Sequence, residues 1–252
     1  MSQVRIGTSG WNYPAWRGVL YERGLPQRAW LERYAETFDT VELNASFYRL
    51  PKVEQFSSWK RRTPARFAFA VKGSRLITHY KRLVDVGPDV ETFLSRVRGL
   101  GRKAPVLLWQ LPPGLERDDL LFARFLDLLP GGKTRRQAVE FRNRSWYAPD
   151  VYRALERRGV ALVLPDSAAR ESMNAPELRH TASFAYVRLH YGGGRRGDYT
   201  DRQLRTWAER ISDWRRRGDV YVYFNNDWEG FAVRNAVRLK ELVGAGAPRR
   251  GR

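Results

Sequence analysis

The stretch AVEFRNRSW, residues 138–146, places Glu140 and Arg142 inside what otherwise reads as a β-strand. Val139 and Phe141 alternate with these two charged residues, and alternate residues of a strand face opposite sides of the sheet. An open sheet could expose the charged face to solvent, whereas a buried strand with charges at one end needs another reason for them. The rest of the chain decides between these two interpretations.

Short apolar runs that suit strands recur along the chain, and most of them are followed by a helical pattern. The predicted strands are Arg5 to Ser9, Thr40 to Phe47, Arg66 to Lys72, Pro105 to Leu111, Gln137 to Arg142, Val160 to Asp166, Ala185 to His190 and Val220 to Asn225. The stretch Ser167 to His180, after the sixth strand, has no clear pattern. Alternating strands and helices favour a parallel sheet covered by helices.

Eight strand-and-helix units in about 240 residues suit a closed barrel. We therefore predict an α/β fold with a single domain, a TIM-like (β/α)8 barrel over residues 1–243. A flexible basic tail, GAGAPRRGR, is predicted over residues 244–252. The alternative is an open doubly wound sheet, which is weakened because no G-x-G-x-x-G motif opens the first helix.

The alternation of side chains assigns a face to each residue of seven predicted strands. One face is apolar, and the other becomes polar toward the carboxyl end of the strand. In a barrel the polar set would surround one mouth, where catalytic residues of such folds lie. This set comprises Glu42, Asn44, Lys72, Gln110, Glu140, Arg142, Asp166, Arg188, His190 and Asn225. The first strand is ambiguous, since Arg5, Gly7 and Ser9 or Ile6 and Thr8 could face inward.

Three acidic residues of the predicted mouth balance three basic ones, with His190 adjustable in charge. A self-neutralising ion network is therefore one interpretation of this set. Such a network adds little net stability when buried, and burying unpaired charge is costly. We therefore favour a ligand-binding or catalytic site at the mouth, which answers the question raised by Glu140 and Arg142.

Composition and charge narrow the class of protein. The 252 residues contain no Cys, which excludes disulfides and thiolate nucleophiles, and they carry a net charge of +19. The sequence has no apolar run of about 18 residues that would predict a membrane span, and its amino terminus lacks a signal-peptide pattern. We therefore expect a cytoplasmic protein. The basic charge is explained either by a nucleic-acid or phosphate-rich partner or by Arg-rich codon usage with solvated helix ends.

Seven motifs, in order along the chain, resemble the YecE-like family of bacteria and archaea, domain of unknown function number seventy-two. They are GTSGWNYPAWRG, YAETFDTVELNASFYRLP, FAVKGSRLITH, LLWQLPP, AVEFRNRSW, VRLHY and VYVYFNND, and the resemblance extends from Ile6 to about Leu242. It implies a TIM-like barrel. Some relatives carry cysteines that suggest an iron–sulfur cluster and a nuclease role, but this chain has no Cys to hold such a cluster.

The resemblance draws attention to residues in the loops that follow the strands. Trp11, Tyr48 and Trp146 could stack on a base or sugar ring at the mouth, or they could pack loops onto the barrel rim. His79, in the loop after the third strand, is a candidate substrate-binding residue, although a lone loop histidine is more often structural.

The residue types at the mouth suggest acid–base chemistry combined with anion binding. The candidate catalytic residues are Glu42, Glu140, Asp166 and His190. The candidate substrate-binding residues are Trp11, Asn44, Tyr48, Lys72, His79, Gln110, Arg142, Arg188 and Asn225. A divalent metal held by the acidic residues and His190 is conceivable, but the neighbouring cations already neutralise those carboxylates, and we assign no metal ligand.

Three functions follow from this set of residues. The favoured one is an enzyme, a hydrolase of the phosphodiesterase or nuclease type, whose substrate is a phosphate-bearing small molecule or nucleic acid. The second is a carbohydrate isomerase or glycosidase that uses paired carboxylates. The third is a non-catalytic nucleic-acid-binding protein, suggested by charge alone.

Overall fold

The computed structural model describes residues 2–131, 135–166 and 178–245, which form the predicted barrel. The strands are Val4–Thr8 (β1), Thr40–Leu43 (β2), Ala68–Lys72 (β3), Val106–Gln110 (β4), Arg136–Glu140 (β5), Ala161–Pro165 (β6), Ala185–Leu189 (β7) and Val220–Phe224 (β8). The α-helices of the described residues are Trp30–Thr37 (α1), Ala45–Tyr48 (α2), Val53–Arg61 (α3), Gly87–Val97 (α4), Asp119–Leu128 (α5), Pro149–Arg158 (α6), Asp201–Trp214 (α7) and Phe231–Ala245 (α8). Most of the uncertain stretch Ser167 to His180 lies outside the described residues.

The eight strands are parallel and run in the order β1-β8-β7-β6-β5-β4-β3-β2. The barrel nearly closes between β1 and β2, where Ser9 pairs with Glu42 and the Gly10 N–H donates to Glu42 O at 2.8 Å. Gly7 permits this approach, because a Cβ atom at that position would lie 2.3 Å from Thr40 O. The predicted fold class is therefore confirmed, and the open sheet is excluded.

Local sequence signals fix the ends of several helices. Thr200 and Gln203 form a capping box at the start of α7. Pro149 begins α6, and Gly159 ends it in a left-handed conformation with φ of 61°. Helix α8 continues to Ala245, so two residues of the predicted tail are helical, and residues 246–252 lie outside the described part of the chain.

The predicted second strand was too long. Strand β2 ends at Leu43, and the chain turns at once into the short helix α2. The turn is held by the Ser46 hydroxyl, which donates to the Lys72 carbonyl at 2.6 Å and to the Leu43 carbonyl at 3.3 Å. This early turn keeps Asn44 and Tyr48 at the barrel mouth instead of extending the sheet.

The barrel interior and the layer between strands and helices form two separate apolar clusters. The interior cluster comprises Ala70, Val106, Leu108, Ala138, Ala161, Val163, Phe184, Tyr186, Tyr221 and Tyr223. The helix-side cluster includes Val41, Phe69, Leu107, Val139, Leu162, Leu164, Val187 and Val222. The predicted faces are therefore confirmed for the third, fourth, fifth, seventh and eighth strands. In β1, the ambiguity is resolved, since Ile6 belongs to the helix side and Ser9 faces inward toward Glu42.

The face assignment of the sixth strand was wrong, because strict alternation with Asp166 placed Leu162 and Leu164 on the inward face and Val163 on the helix side. Val163 lies inside the barrel, whereas Leu162 and Leu164 pack on the helix side. Parallel strands are buried on both faces and read as continuous apolar runs, so alternation is weak there. Asp166, the single polar marker used for this strand, lies beyond its last residue, Pro165, and did not report the face of the strand.

Candidate functional site

A polar cavity of about 600 Å³ opens at the carboxyl ends of the strands. It is lined by Asn44, Tyr48, Lys72, Gln110, Pro113, Arg142, Arg188, His190 and Asn225. We call it the mouth cavity. Eight of these residues were predicted from the sequence as site residues, and Pro113 was not. They come from the ends of six strands that are far apart in the chain, and the barrel brings them together.

Arg188 is the centre of the ionic network beneath this cavity, although only 1% of it is exposed. Its Nη2 and Nε atoms donate to the two carboxylate oxygens of Glu42 at 2.8 and 2.9 Å. Its Nη1 atom donates to Glu140 Oε2 at 2.5 Å. Burial lowers the pKa of Arg188, but Glu140 and Glu42 more than reverse this effect and raise it. Arg188 is therefore a fixed cation that links two acidic strands.

Glu42 is fully engaged by its protein partners. Besides Arg188, the Ser9 hydroxyl donates to Oε1 at 2.7 Å and the Tyr186 hydroxyl donates to Oε2 at 2.8 Å. Burial would raise the pKa of Glu42, but Arg188 dominates and the pKa is lowered. A buried, ionised carboxylate with four hydrogen bonds positions Arg188, and it has little capacity to bind a substrate directly.

The second carboxylate oxygen of Glu140, Oε1, contacts the side chains of Arg142 and His190. Arg142 lies in ion-pair contact with Oε1, and His190 Nε2 lies 3.5 Å from it. Burial would raise the pKa of Glu140, but Arg188 and Arg142 hold it well below the ordinary value. Glu140 is therefore a permanent anion at neutral pH and a poor proton donor or acceptor.

His190 sits between Arg142 and Asn225 at the side of the mouth cavity. Its Nε2 atom is 3.0 Å from Arg142 Nη2, and its Nδ1 atom is 3.1 Å from Asn225 Nδ2. Burial lowers the pKa of His190, with Glu140 opposing the shift. Arg142 and Asn225 both present N–H donors, so the unprotonated ring nitrogen accepts from one of them. A ligand that displaces this donor would free the nitrogen, and on this ground His190 is a candidate general base of the cavity.

Lys72 projects into the opposite side of the mouth cavity. Its Nζ atom donates to Gln110 Oε1 at 2.8 Å and lies 4.0 Å from the centre of the Phe47 ring. Burial and the positive charge of Arg188 lower the pKa of Lys72 to about 8. The ammonium group is therefore mostly protonated at neutral pH, and it can lose its proton within the physiological range.

Two buried polar atoms at the mouth have no hydrogen-bond partner among the described residues. These atoms are Asn44 Oδ1 and Arg142 Nε. Buried polar groups are normally satisfied, and exceptions call for an explanation such as a bound ligand or water. Both belong to residues that line the mouth cavity.

Asp166, another candidate catalytic residue, has its described contacts in the segment that follows β7. Its Oδ2 atom accepts hydrogen bonds from the backbone N–H groups of His190 and Tyr191, each at 2.6 Å, and from the Tyr199 hydroxyl. It therefore fixes the loop that follows β7.

The aromatic and histidine candidates in the loops occupy different places. Tyr48 is 66% exposed at the mouth, and Trp11 lines a neighbouring cavity. Trp146 is completely buried and stacks on Phe141 at 5.1 Å, so it packs a loop onto the barrel. His79 contacts the Phe47 ring at 4.9 Å and bonds to Thr78, but it does not line the mouth cavity.

Three residues that were not among the candidate site residues bear on this network. Ser9 and Tyr186 fix Glu42, and the inward face of the seventh strand pointed to Tyr186 without suggesting its role. Burial raises the pKa of Asp227 to about 7, with Glu42 adding to the shift. Asp227 follows β8 by three residues, where strand alternation no longer predicts which way a side chain points.

The described residues contain no group of three or more His, Cys, Asp or Glu side chains that could hold a metal ion. Glu42 and Glu140 both pair with the Arg188 guanidinium, so the protein itself supplies the positive charge that these two carboxylates face. In the same described part of the chain, no helix is long and apolar enough to cross a membrane.

Comparison with known proteins agrees with the resemblance seen in the motifs. Residues 5–251 match the family model described as "Protein of unknown function DUF72". UPF0759 protein YunF of Bacillus subtilis (strain 168) is 25% identical over 272 residues, which cover 95% of this chain and 94% of YunF. UPF0759 protein YecE of Escherichia coli (strain K12) is 32% identical over 170 residues, or 65% of this chain and 59% of YecE.

Solved structures give the same relationship. The crystal structure of a DUF72 family protein (TM1631) from Thermotoga maritima MSB8 superimposes with a TM-score of 0.81 at 28% sequence identity. The superposition covers 96% of this chain and 99% of the other. The match therefore extends over the whole barrel, including the strand ends that carry the mouth residues.

Proposed function

The chain belongs to the DUF72 family, and we propose that it is an enzyme that acts on a phosphate-bearing substrate at the carboxyl-terminal mouth of its barrel. One observation carries this proposal. The mouth cavity is lined by three cations, Lys72, Arg142 and Arg188, and none of the described residues lining it is a carboxylate. Glu42 and Glu140 lie beneath the lining, where both bind Arg188.

Lys72 and Arg142 are the groups available to an anion. Lys72 gives one N–H to Gln110 within the described residues, and an ammonium group has three donors. Arg142 uses Nη2 for its contacts with Glu140 and His190, and its Nε has no hydrogen-bond partner there, so Nε and Nη1 are the donors left for phosphate oxygens. Because the cavity is partly desolvated, such charge-assisted hydrogen bonds are stronger than those at the surface.

Proton transfer is assigned to His190, which lies beside Arg142 and is neutral at physiological pH because burial lowers its pKa. A neutral imidazole can remove a proton from an attacking water or hydroxyl group. The cations that bind the phosphate also stabilise the negative charge that develops on its oxygens during transfer. Phosphodiesters, including those of nucleic acids, and phosphate monoesters both satisfy this description.

The carbohydrate alternative is less well supported. A glycosidase needs one carboxyl group that keeps its proton near neutral pH, while a second one acts as nucleophile or base. Here the pKa values of Glu42 and Glu140 are both lowered by Arg188, in spite of their burial. Neither residue therefore suits the role of general acid, and Asp227, whose pKa burial raises to about 7, lies outside the lining of the mouth cavity.

The proposal is tested by titration with inorganic phosphate and by a substrate screen. The screen contains phosphate monoesters, single- and double-stranded nucleic acids and aryl glycosides, each with and without added divalent ions. We expect Lys72→Met to weaken phosphate binding by about 10- to 150-fold, the equivalent of one lost charge-assisted hydrogen bond. The matched control is Lys81→Met, which removes an exposed lysine paired with Asp89 and leaves phosphate binding unchanged.

A second variant, His190→Gln, separates catalysis from binding. We expect it to lower kcat by about 10²- to 10⁴-fold while phosphate affinity changes little, as for the loss of a general base. Turnover of an aryl glycoside but of no phosphate ester would contradict the proposal. Binding of nucleic acid that is unchanged in Lys72→Met, without turnover of any substrate, would instead favour the non-catalytic alternative.

A further inference from the structure

A second cavity, also of about 600 Å³, adjoins the mouth cavity. The two cavities share Asn44 and Tyr48 in their linings, and the exposed Tyr48 side chain stands at the boundary between them. We call the second one the ring cavity. Because the two spaces meet at the same residues, a single ligand can place one part in each.

The walls of the ring cavity are aromatic and held in place by the protein. The Trp11 indole meets the Trp59 indole edge to face, with centroids 5.5 Å apart, and also contacts Phe69 at 6.5 Å. Tyr13 packs on Trp16 at 4.7 Å, and its hydroxyl donates to the Ser9 carbonyl at 2.6 Å. Fixed aromatic surfaces of this kind favour a flat ring as ligand, since stacking then costs little side-chain entropy.

The polar groups of the ring cavity are mainly amides. Asn12, Gln27, Asn44 and Gln55 all belong to its lining. Gln27 donates to Asn12 at 2.8 Å, while Asn44 Oδ1 is buried without a partner among the described residues. Side-chain amides offer both donors and acceptors, which match the hydrogen-bonding edge of a nucleobase.

The charge of the ring cavity differs from that of the mouth. Arg62 lies in its lining, but its guanidinium is bound by both oxygens of Glu32, at 2.6 and 2.8 Å. Its positive charge is therefore already compensated, and Arg28, the other arginine of the lining, is exposed to solvent, which screens its charge. The cavity is suited to an uncharged aromatic ring, whereas the cations of the mouth are suited to the phosphate.

We propose that the ring cavity binds the base of a nucleoside phosphate whose phosphate group lies at the mouth between Lys72 and Arg142. This assignment rests on the proposed function, because it takes the phosphate site as given and identifies the class of molecule attached to it. Tyr48 and Asn44 then contact the part of the ligand that joins base and phosphate.

Titration of the full-length protein with inorganic phosphate, adenosine and adenosine 5′-monophosphate tests the assignment, alongside the other three nucleoside monophosphates. We expect the preferred monophosphate to bind about 5- to 150-fold more tightly than phosphate, the range expected for stacking of one base. In Ala45→Trp, a bulky ring fills the ring cavity from the exposed first residue of α2. In this variant the monophosphate should bind no more tightly than inorganic phosphate, while the affinity for phosphate itself remains unchanged.

The control Ala15→Trp adds the same ring at an exposed position outside both linings and should bind all ligands normally. If phosphate binds and no monophosphate binds more tightly, or if Ala45→Trp changes nothing, the ring assignment is overturned and the phosphate site stands. If nucleosides bind in an Ala45-dependent way but phosphate does not, the ring assignment stands and the proposed function fails. A single-stranded oligonucleotide, titrated in parallel, distinguishes a nucleic-acid end from a free nucleotide as the source of the base.

Discussion

Replacing Arg188 by Met tests the ionic network beneath the mouth most severely. Arg188 is 1% exposed and forms ion pairs with Glu42 and Glu140, which are 0% and 1% exposed. Removing one member of a buried ion pair leaves an uncompensated charge and typically costs about 3–5 kcal/mol. We expect the free energy of unfolding of Arg188→Met to fall by about this amount at pH 7, a large share of the roughly 5–15 kcal/mol that stabilises a typical domain.

The pH dependence identifies the cause of this loss. In the native protein the pKa values of Glu42 and Glu140 are lowered, so their stabilising contribution is present above the ordinary glutamate value of 4.5 and is lost as pH falls through the folded values. Arg188→Met removes the strongest opposing charge while burial remains, so both pKa values rise relative to the native protein, and the variant loses stability relative to it as the pH rises. The difference between the two proteins should therefore shrink as the pH is lowered from 7 to 4.

Urea unfolding followed by tryptophan fluorescence at pH 4, 5.5 and 7 measures this difference. Arg205→Met is the matched control, because its ion pair with Asp201 on α7 is exposed and adds little to stability. A loss below about 1 kcal/mol at pH 7 would contradict a buried charge network. A larger loss that is the same at pH 4 and pH 7 would show that Arg188 acts through packing.

Two further substitutions test single features of the barrel. Asp227→Asn should stabilise the protein by about 1–2 kcal/mol at pH 8 but not below pH 4, because the raised pKa of about 7 makes the native protein lose stability between pH 3.8 and 7. The exposed Asp213→Asn is its charge-matched control in urea unfolding, and equal effects of the two would refute the argument. Gly7→Ala should cost about 1–3 kcal/mol, since its Cβ would lie 2.3 Å from Thr40 O. In the control Gly24→Ala the new methyl group has no neighbour within 4 Å, so equal thermal unfolding temperatures for the two variants would contradict a tight closure.

The barrel could be predicted because its signal is repeated. Eight apolar runs with a helical pattern between most of them limit the topology to very few choices, and the alternation within strands assigned most side chains to the correct face. The assignment failed in β6, where Leu162, Val163 and Leu164 are all buried and no polar residue marks a face. The predicted end of β2 was also wrong, because the turn there depends on a hydrogen bond from Ser46 to Lys72 that links distant parts of the chain.

The composition of the site could be predicted, but the pairing within it could not. Alternation places Glu42, Glu140 and Arg188 near one another, yet it does not reveal that one guanidinium holds both carboxylates. Asp166 was included because its side chain is acidic and close to a strand end, whereas its partners are backbone N–H groups of the loop after β7. Such contacts depend on loop conformation, which residue type and spacing do not specify.

The central claim is that the mouth is an anion site, and crystals soaked with tungstate, a heavy analogue of phosphate, test it directly. The anomalous scattering of tungsten distinguishes the bound ion from protein atoms and water. We predict a tungstate bound by Lys72 Nζ and the Arg142 guanidinium, in contact with His190, and its loss in Lys72→Met. Tungstate found only at basic residues outside the mouth cavity, or bound there equally well in Lys72→Met, would contradict the claim.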